Sequence, residues 1–292
     1  MKRARYLVVI FGYSVTLLSM QTKEKWDPKT YNQRPNPPLI LAQQLLRDTT
    51  FSDESNLCVL GCRTGSICTF LAQIAPNTSI VGLDNDPAMV RQACIKQESN
   101  VNYCLSNGAN LASEFSEHFD AIVALYELHW YPYDQQAEII KQCAQSLKTG
   151  GSLFIGMTQK GELHPIFQAC NDTVQLSKWR ELVGQVCIDA CYFPQTKSAL
   201  EKNVQESGLE IKKSELQSSA QQSDAARTVS DQEYKQFILG TLGKHPQIVR
   251  LLPEKRDKLL ADIIAMYKQK FVDIPASFTR TMLVLQAYKQ KK

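Results

Sequence analysis

Between residues 57 and 157 the chain alternates short apolar runs with helical patterns, and no other feature restricts its fold as tightly. The runs fall at 57–60, 79–83, 101–105, 119–126 and 150–157, with helical periodicity at 66–74, 87–96 and 134–147. Strands this short and this uniformly apolar suit a sheet covered on both faces, and parallel neighbours need a crossover long enough to hold a helix. The segment is therefore read as one doubly wound α/β unit with its ligand edge at the carboxyl ends of the strands. Upstream, Leu39, Ala42, Leu45 and Leu46 recur at helical spacing, with Pro37 and Pro38 suited to the first positions of that helix.

After Met157 the rhythm changes. Residues 158–185 have helical stretches and no comparable strand, and "TKSALEKNVQESGLEIKKSELQ" reads as a helix, a turn at Gly208 and a strand. Residues 217–230 have linker composition, residues 231–273 are helical again, and "SFTRTMLVLQAYK" closes the chain with a last strand. A helical cap built from 158–185 and 231–273, laid over the open edge of the sheet, is the economical arrangement. The expected organisation is an N-terminal extension (1–19), a core (20–157), and a region of cap helices and remaining strands (158–292).

Composition removes several function classes. Apolar residues make up 43% and charged residues 21%, which is globular, and a net charge of +4 without a stripe of arginines and aromatics gives no nucleic-acid groove. The nine cysteines include Cys58/Cys62 and Cys187/Cys191, but neither pair is matched by a second pair with histidines at ligand spacing. They read as reduced, packed thiols of a cytoplasmic protein without a metal. Lys2, Arg3 and Arg5 precede a short apolar run from Leu7 to Leu18. Three readings stand for that segment: an export or anchor segment, an ordinary first element, or an extension ahead of a start at Met20. The run is short for a membrane span, so a membrane role is not expected.

The chemistry concentrates in "CVLGCRTGS". A strand delivers Gly61, a turn follows, and Gly65 stands at the mouth of a helix, which lets backbone N–H groups approach a nucleotide-like ligand. Asp84 follows the second strand, where one carboxylate can accept both hydroxyls of a ribose. The competing reading for the acidic pair is helix capping, which suits Asp86 directly before Pro87. A dinucleotide loop would need a further glycine pattern that Gly61, Arg63 and Ser66 do not supply.

With these positions go "VNYCLSNGANL" and "FDAIVALYELHWYPYDQQAEIIKQCAQSLKTGGSLFIGM", and together they resemble the S-adenosylmethionine-dependent methyltransferases of the seven-stranded class. The run Leu128-His129-Trp130 before a helix ending "LKTGG" is most similar to the group containing trans-aconitate, malonyl-carrier-protein (biotin synthesis) and juvenile-hormone-acid methyltransferases. "WDPKTY" and the helical ending resemble that group's leader and cap. The resemblance implies a mostly parallel seven-stranded sheet and S-adenosyl-L-methionine as cofactor. It implies that Gly61, Cys62, Arg63 and Gly65 shape the loop under the methionine part, and that Asp84 holds the ribose. Asn85, Asn107 and Gly108 would lie along the adenosine, and Leu125 near the reacting methyl. His129 and Trp130 would line the pocket between cofactor and substrate, while Phe119 and Asp120 mark the opposite, structural end of the sheet.

Methyl transfer to an already ionised carboxylate needs no general base, so the expected reaction is O-methylation of a small or carrier-linked acid. For a phenol or an amine, His129 would be the base; its other reading is a hydrogen-bonded wall residue. Three positions depart from the family: Val59 replaces an acidic residue, Arg63 a glycine, and Asn107 an aspartate. They keep open a methyltransferase-like binding protein, and a protein acceptor is a further alternative. If position 63 needs a positive φ, a non-glycine costs roughly 1–2 kcal/mol. Its guanidinium then either reaches solvent or pairs with an anion, of which the cofactor's carboxylate is the expected one.

Overall fold

A computed structural model describes residues 28–32, 36–96, 98–161, 165–183, 193–219, 235, 251–270 and 280–290. The readings of residues 1–19, of a start at Met20, of the helical pattern over most of 231–250 and of Cys187 and Cys191 fall outside these residues.

In chain order the elements are α1 (Pro28–Asn32), α2 (Pro37–Leu46), β1 (Asn56–Leu60), α3 (Ser66–Ile74), β2 (Ser79–Asp84), α4 (Pro87–Cys94), β3 (Val101–Leu105) and α5 (Leu111–Glu114). Then come β4 (Phe119–Leu125), a 3₁₀ turn (Leu128–Trp130), α6 (Tyr133–Ser146), β5 (Leu147–Thr158), α7 (Pro165–Val174) and α8 (Ser177–Val183). The described chain ends with α9 (Lys197–Glu206), β6 (Leu209–Ser219), α10 (Pro253–Lys270) and β7 (Arg280–Lys289). Asp86 caps α4 by accepting the Ala88 N–H, which leaves Asp84 outside that role.

The sheet runs β3-β2-β1-β4-β5-β7-β6. β1 to β5 are parallel, and β7 is antiparallel to both of its neighbours. The chain steps outward from β1 to β3, then crosses back to place β4 on the other side of β1. Loops leaving β1 and β4 therefore diverge, and the crevice between them is where such sheets bind ligands.

Side-chain alternation along the central strands sends residues to two cores. Cys58, Leu60, Ile122 and Ala124 face α6 and α9 through Ile139, Cys143, Leu200 and Val204. Leu57, Val59, Val123 and Leu125 face α2 and α3 through Leu41, Leu46, Ile67 and Leu71. Burial on both faces is why these strands show no polar alternation. A third cluster joins Phe167, Cys170, Trp179 and Val183 of α7 and α8 to Leu259, Ile263 and Tyr267 of α10. Each such side chain contributes roughly 1.5–3 kcal/mol on burial, so these late helices hold together through a core of their own. Trp179 Nε1 also donates to Asp262 at 2.7 Å.

Buried amides fix where the chain leaves and rejoins the sheet. Gln159 and Gln195 form a parallel bridge, and the Lys160 N–H donates to the Gln195 carbonyl at 2.9 Å. Gln136 Nε2 donates to the carbonyls of Tyr131 and Phe193, both at 2.7 Å. Gln136 Oε1 accepts from Gln195, and Gln195 Oε1 accepts from Asn203.

Candidate functional site

The site is built around the turn after β1. Gly61 (φ +72°) and Gly65 (φ +82°) are both left-handed, a region that costs glycine nothing. Space matters as much as torsion. A Cβ on Gly61 would lie 2.2 Å from Glu127 Oε2, and one on Gly65 would lie 2.5 Å from the Tyr103 hydroxyl. The Cys62 N–H donates to Leu83 at 2.8 Å, so the turn is stitched to the end of β2. Thr64 is buried and donates to Asn32 Oδ1 at 2.6 Å, tying α1 to the loop. No side chain caps α3.

Asp84 ends β2. Its Oδ2 accepts the Arg63 N–H and its Oδ1 the Asp86 N–H, both at 2.8 Å. Each oxygen keeps a lone pair for a further donor. Burial raises its pKa above the ordinary value, against the opposing pull of the Asp86 N–H and the Arg63 charge. Leu105, the register partner of Asp84 on β3, leaves 60% of its surface exposed beside it.

Arg63 takes the second course expected of it, pairing with an anion, but the anion is not a cofactor's carboxylate. Its backbone is left-handed (φ +51°), as a substituted glycine position implies, but the side chain folds back into the protein and is only 15% exposed. Nη1 donates to the Gly61 carbonyl at 3.0 Å and the Leu125 carbonyl at 3.3 Å, and Nη2 to the Tyr126 carbonyl at 2.6 Å. The anion beside it is the chain's own Glu127, at 3.7 Å. Burial opposes its charge, but Tyr31, Glu127, Asp84 and Cys62 outweigh that and raise its pKa.

Glu127 and Tyr131 belong to the same cluster. Tyr131 donates to Glu127 Oε1 at 2.7 Å and accepts from Asn85 Nδ2 at 3.2 Å. Burial first, then Glu127, raise the Tyr131 pKa and keep it protonated. Tyr131 itself is buried. Tyr126, directly after β4, is also left-handed at φ +57°. Such strain in an aromatic residue persists only where its surroundings enforce it.

Gly61, Cys62, Arg63, Gly65, Asp84, Asn85 and Leu125 thus gather at the carboxyl ends of β1, β2 and β4. Asn107 and Gly108 follow β3. Asn107 is exposed and its Oδ1 accepts the Ala109 N–H, while Gly108 (φ +77°) sits against Leu60. His129 is buried, its ring 6.2 Å from Tyr126 and 5.2 Å from Trp130, and its carbonyl accepts the Phe193 N–H at 2.7 Å. Trp130 is partly buried against the cluster of α7, α8 and α10. Asp120 lies at the far end of the sheet, holding the Asn56 N–H and Lys148. Sequence reasoning passed over Glu127, Leu105 and the Thr64–Asn32 tie. Only Glu127 left a trace, as a carboxylate two residues after a strand end.

Strand order, the single reversed strand β7 and a glycine turn facing a carboxylate at the switch point define the class I S-adenosylmethionine-dependent methyltransferase fold. Residues 58–151 match the family described as "Methyltransferase domain". The chain is 28% identical over 159 residues to a trans-aconitate 2-methyltransferase of Variovorax paradoxus, covering 54% of this chain and 60% of that protein. It is 32% identical over 133 residues to another from an Enterobacter species, covering 45% of this chain and 50% of that one. The chain therefore spans about half the length of the curated relatives it matches. The solved structure of the cyclase SpnF shares the fold at a TM-score of 0.55 and 16% identity, over 87% of this chain and 82% of that one. Among the described residues no cluster of His, Cys, Asp or Glu could hold a metal, and no helix is long and apolar enough to cross a membrane.

Proposed function

We propose that this chain binds S-adenosylmethionine and transfers its methyl group to a small organic acid, free or linked to a carrier, at a carboxylate oxygen. The observation that carries the reading is Asp84: a buried carboxylate steadied by two backbone N–H groups, with one lone pair left on each oxygen for a ribose diol. The remaining groups fit the rest of that molecule. Leu105 offers an apolar face to a base, and the carbonyls of Gly61, Leu125 and Tyr126 with Glu127 form an acceptor-only cage whose chemistry suits an ammonium. When bound, the cofactor supplies an electrophilic methyl on a sulfonium. Tyr126, His129 and Trp130 line the approach and exclude water, and the helices against Trp130 close over the acceptor. A carboxylate acceptor is already ionised, so the buried His129 needs no base role. The matched relatives named for trans-aconitate support an acid as the acceptor.

A second reading, a nucleoside-binding protein without catalysis, is favoured by one observation: a guanidinium already stands inside the acceptor cage. SpnF, which has this fold, is itself named a cyclase.

Binding and turnover separate the two. S-adenosylhomocysteine at about 100 times its Kd should stabilise the chain by about 2.7 kcal/mol, and Asp84→Ala should abolish the shift. Labelled methyl should then appear in a panel of small and carrier-linked acids and in no nucleic acid. Stabilisation without transfer to any acid selects the second reading, and stabilisation of neither the chain nor its Arg63→Gly variant removes both.

A further inference from the structure

The crevice between β1 and β4 has an unusual occupant. Three backbone carbonyls, from Gly61, Leu125 and Tyr126, converge with the Glu127 carboxylate on one point, and that point is filled by the Arg63 guanidinium. Two of the three carbonyls belong to residues held at positive φ, Gly61 (+72°) and Tyr126 (+57°), and Arg63 itself is at +51°. Three left-handed residues, two of them not glycine, serve one cluster of acceptors. A cluster offering no donor of its own selects for a compact cation with several N–H groups.

Its place beside Asp84 decides what that cation is. The Arg63 N–H donates to Asp84, so the cage and the ribose carboxylate are joined by a single residue. A ligand whose nucleoside sits on Asp84 and whose tail ends in an amino acid brings an ammonium to this crevice. S-adenosylmethionine and S-adenosylhomocysteine are such ligands; 5′-methylthioadenosine, which has the nucleoside but no amino acid, is not. We propose that Arg63 is an internal plug: its guanidinium holds the acceptor cage in place of a ligand's ammonium, and amino-acid-bearing nucleosides bind only when it withdraws.

This rests on the nucleoside reading of Asp84 and adds to it a competition between two cations for one set of oxygens. The cost to the ligand is set by how rarely the cage stands open, because apparent affinity falls in proportion to the competent fraction. The backbone is not part of the contest. A glycine at 63 keeps the N–H donated to Asp84 and adopts φ +51° without penalty, so it removes the plug and leaves the ribose anchor.

The test measures Kd by calorimetry for S-adenosylhomocysteine and 5′-methylthioadenosine with the full chain, Arg63→Gly and Arg63→Met. Methionine keeps apolar bulk and the backbone N–H on Asp84, removes every side-chain donor, and covers the case in which the glycine variant fails to fold. The expected result is tightening of S-adenosylhomocysteine by about tenfold or more in either variant, with 5′-methylthioadenosine changed less than about twofold. S-adenosylhomocysteine binding to a variant but not to the parent chain also supports the plug. Unchanged or weakened S-adenosylhomocysteine binding, with 5′-methylthioadenosine still bound by all three proteins, overturns the plug and leaves the nucleoside site standing. If neither compound binds any of the three at millimolar concentration, the nucleoside site falls and the plug falls with it.

Discussion

Gly61 makes a sharp demand on position 61, and Gly61→Ala measures it. Two costs are separable. At φ +72° an L-residue pays roughly 1–2 kcal/mol for the left-handed region. In addition, the new Cβ would lie 2.2 Å from Glu127 Oε2, 2.5 Å from its Cδ and 2.8 Å from its Cγ, so the whole carboxylate arm must turn away. Turning it breaks the 2.7 Å bond from Tyr131 and moves the anion off Arg63. A hydrogen bond to a charged group is worth about 1.5–3 kcal/mol, so with the torsional term Gly61→Ala should cost about 2.5–5 kcal/mol in all. In a Glu127→Ala background the Cβ meets no arm, and only the torsional 1–2 kcal/mol should remain. Urea denaturation of the four proteins, with unchanged slopes, gives the coupling directly. A coupling below about 0.5 kcal/mol would show that Glu127 does not press on Gly61, and the cage geometry argued above would be wrong.

Three further outcomes are expected. Gln136→Leu strands the carbonyls of Tyr131 and Phe193 and the Gln195 side chain; it should destabilise by about 2–4 kcal/mol, and a loss under about 1 kcal/mol on urea titration would make the amide relay incidental. Affinity for S-adenosylhomocysteine should fall with falling pH, about tenfold per unit below the Asp84 pKa, because the ribose contact needs the ionised carboxylate. Burial raises that pKa, so calorimetry should place the onset above 3.8, and Asp84→Asn should show no such fall. Among the described cysteines, thiol labelling of the native chain should modify Cys94 and then Cys104, which burial, Glu114 and Cys94 make less acidic. Cys143, buried with its pKa pushed up to about 12, should react only on unfolding, and mass spectrometry gives the order.

The parallel strands were legible because full burial leaves an unbroken apolar run, and the helices between them because one face alone is apolar. Where β5 begins was not: the apolar run starts at Gly150, but the ladder pairs Phe119 with Leu147, so pairing carries the strand back through residues 147–149, which read as the end of the preceding helix. α5 and the 3₁₀ turn at Leu128–Trp130 are too short to show a period. In the site, Gly61, Gly65 and Asp84 could be picked out because torsion and charge depend on residue type. The acceptor cage could not, since a backbone carbonyl has no letter in the sequence. Arg63 could be flagged as a misfit, yet its direction was set by Leu125 and Tyr126, which lie more than sixty positions away.

The bridge between Gln159 and Gln195 has a consequence for how such a chain can diversify. Departure and return are clasped side by side, so α7 and α8 form a detour whose two ends are held by the sheet itself. A detour anchored in this way can be lengthened, shortened or exchanged for another without any strand changing register. The detour can then drift while the turn after β1 stays fixed, and the same clasp marks a graft point at which a foreign helical segment could be spliced onto this sheet.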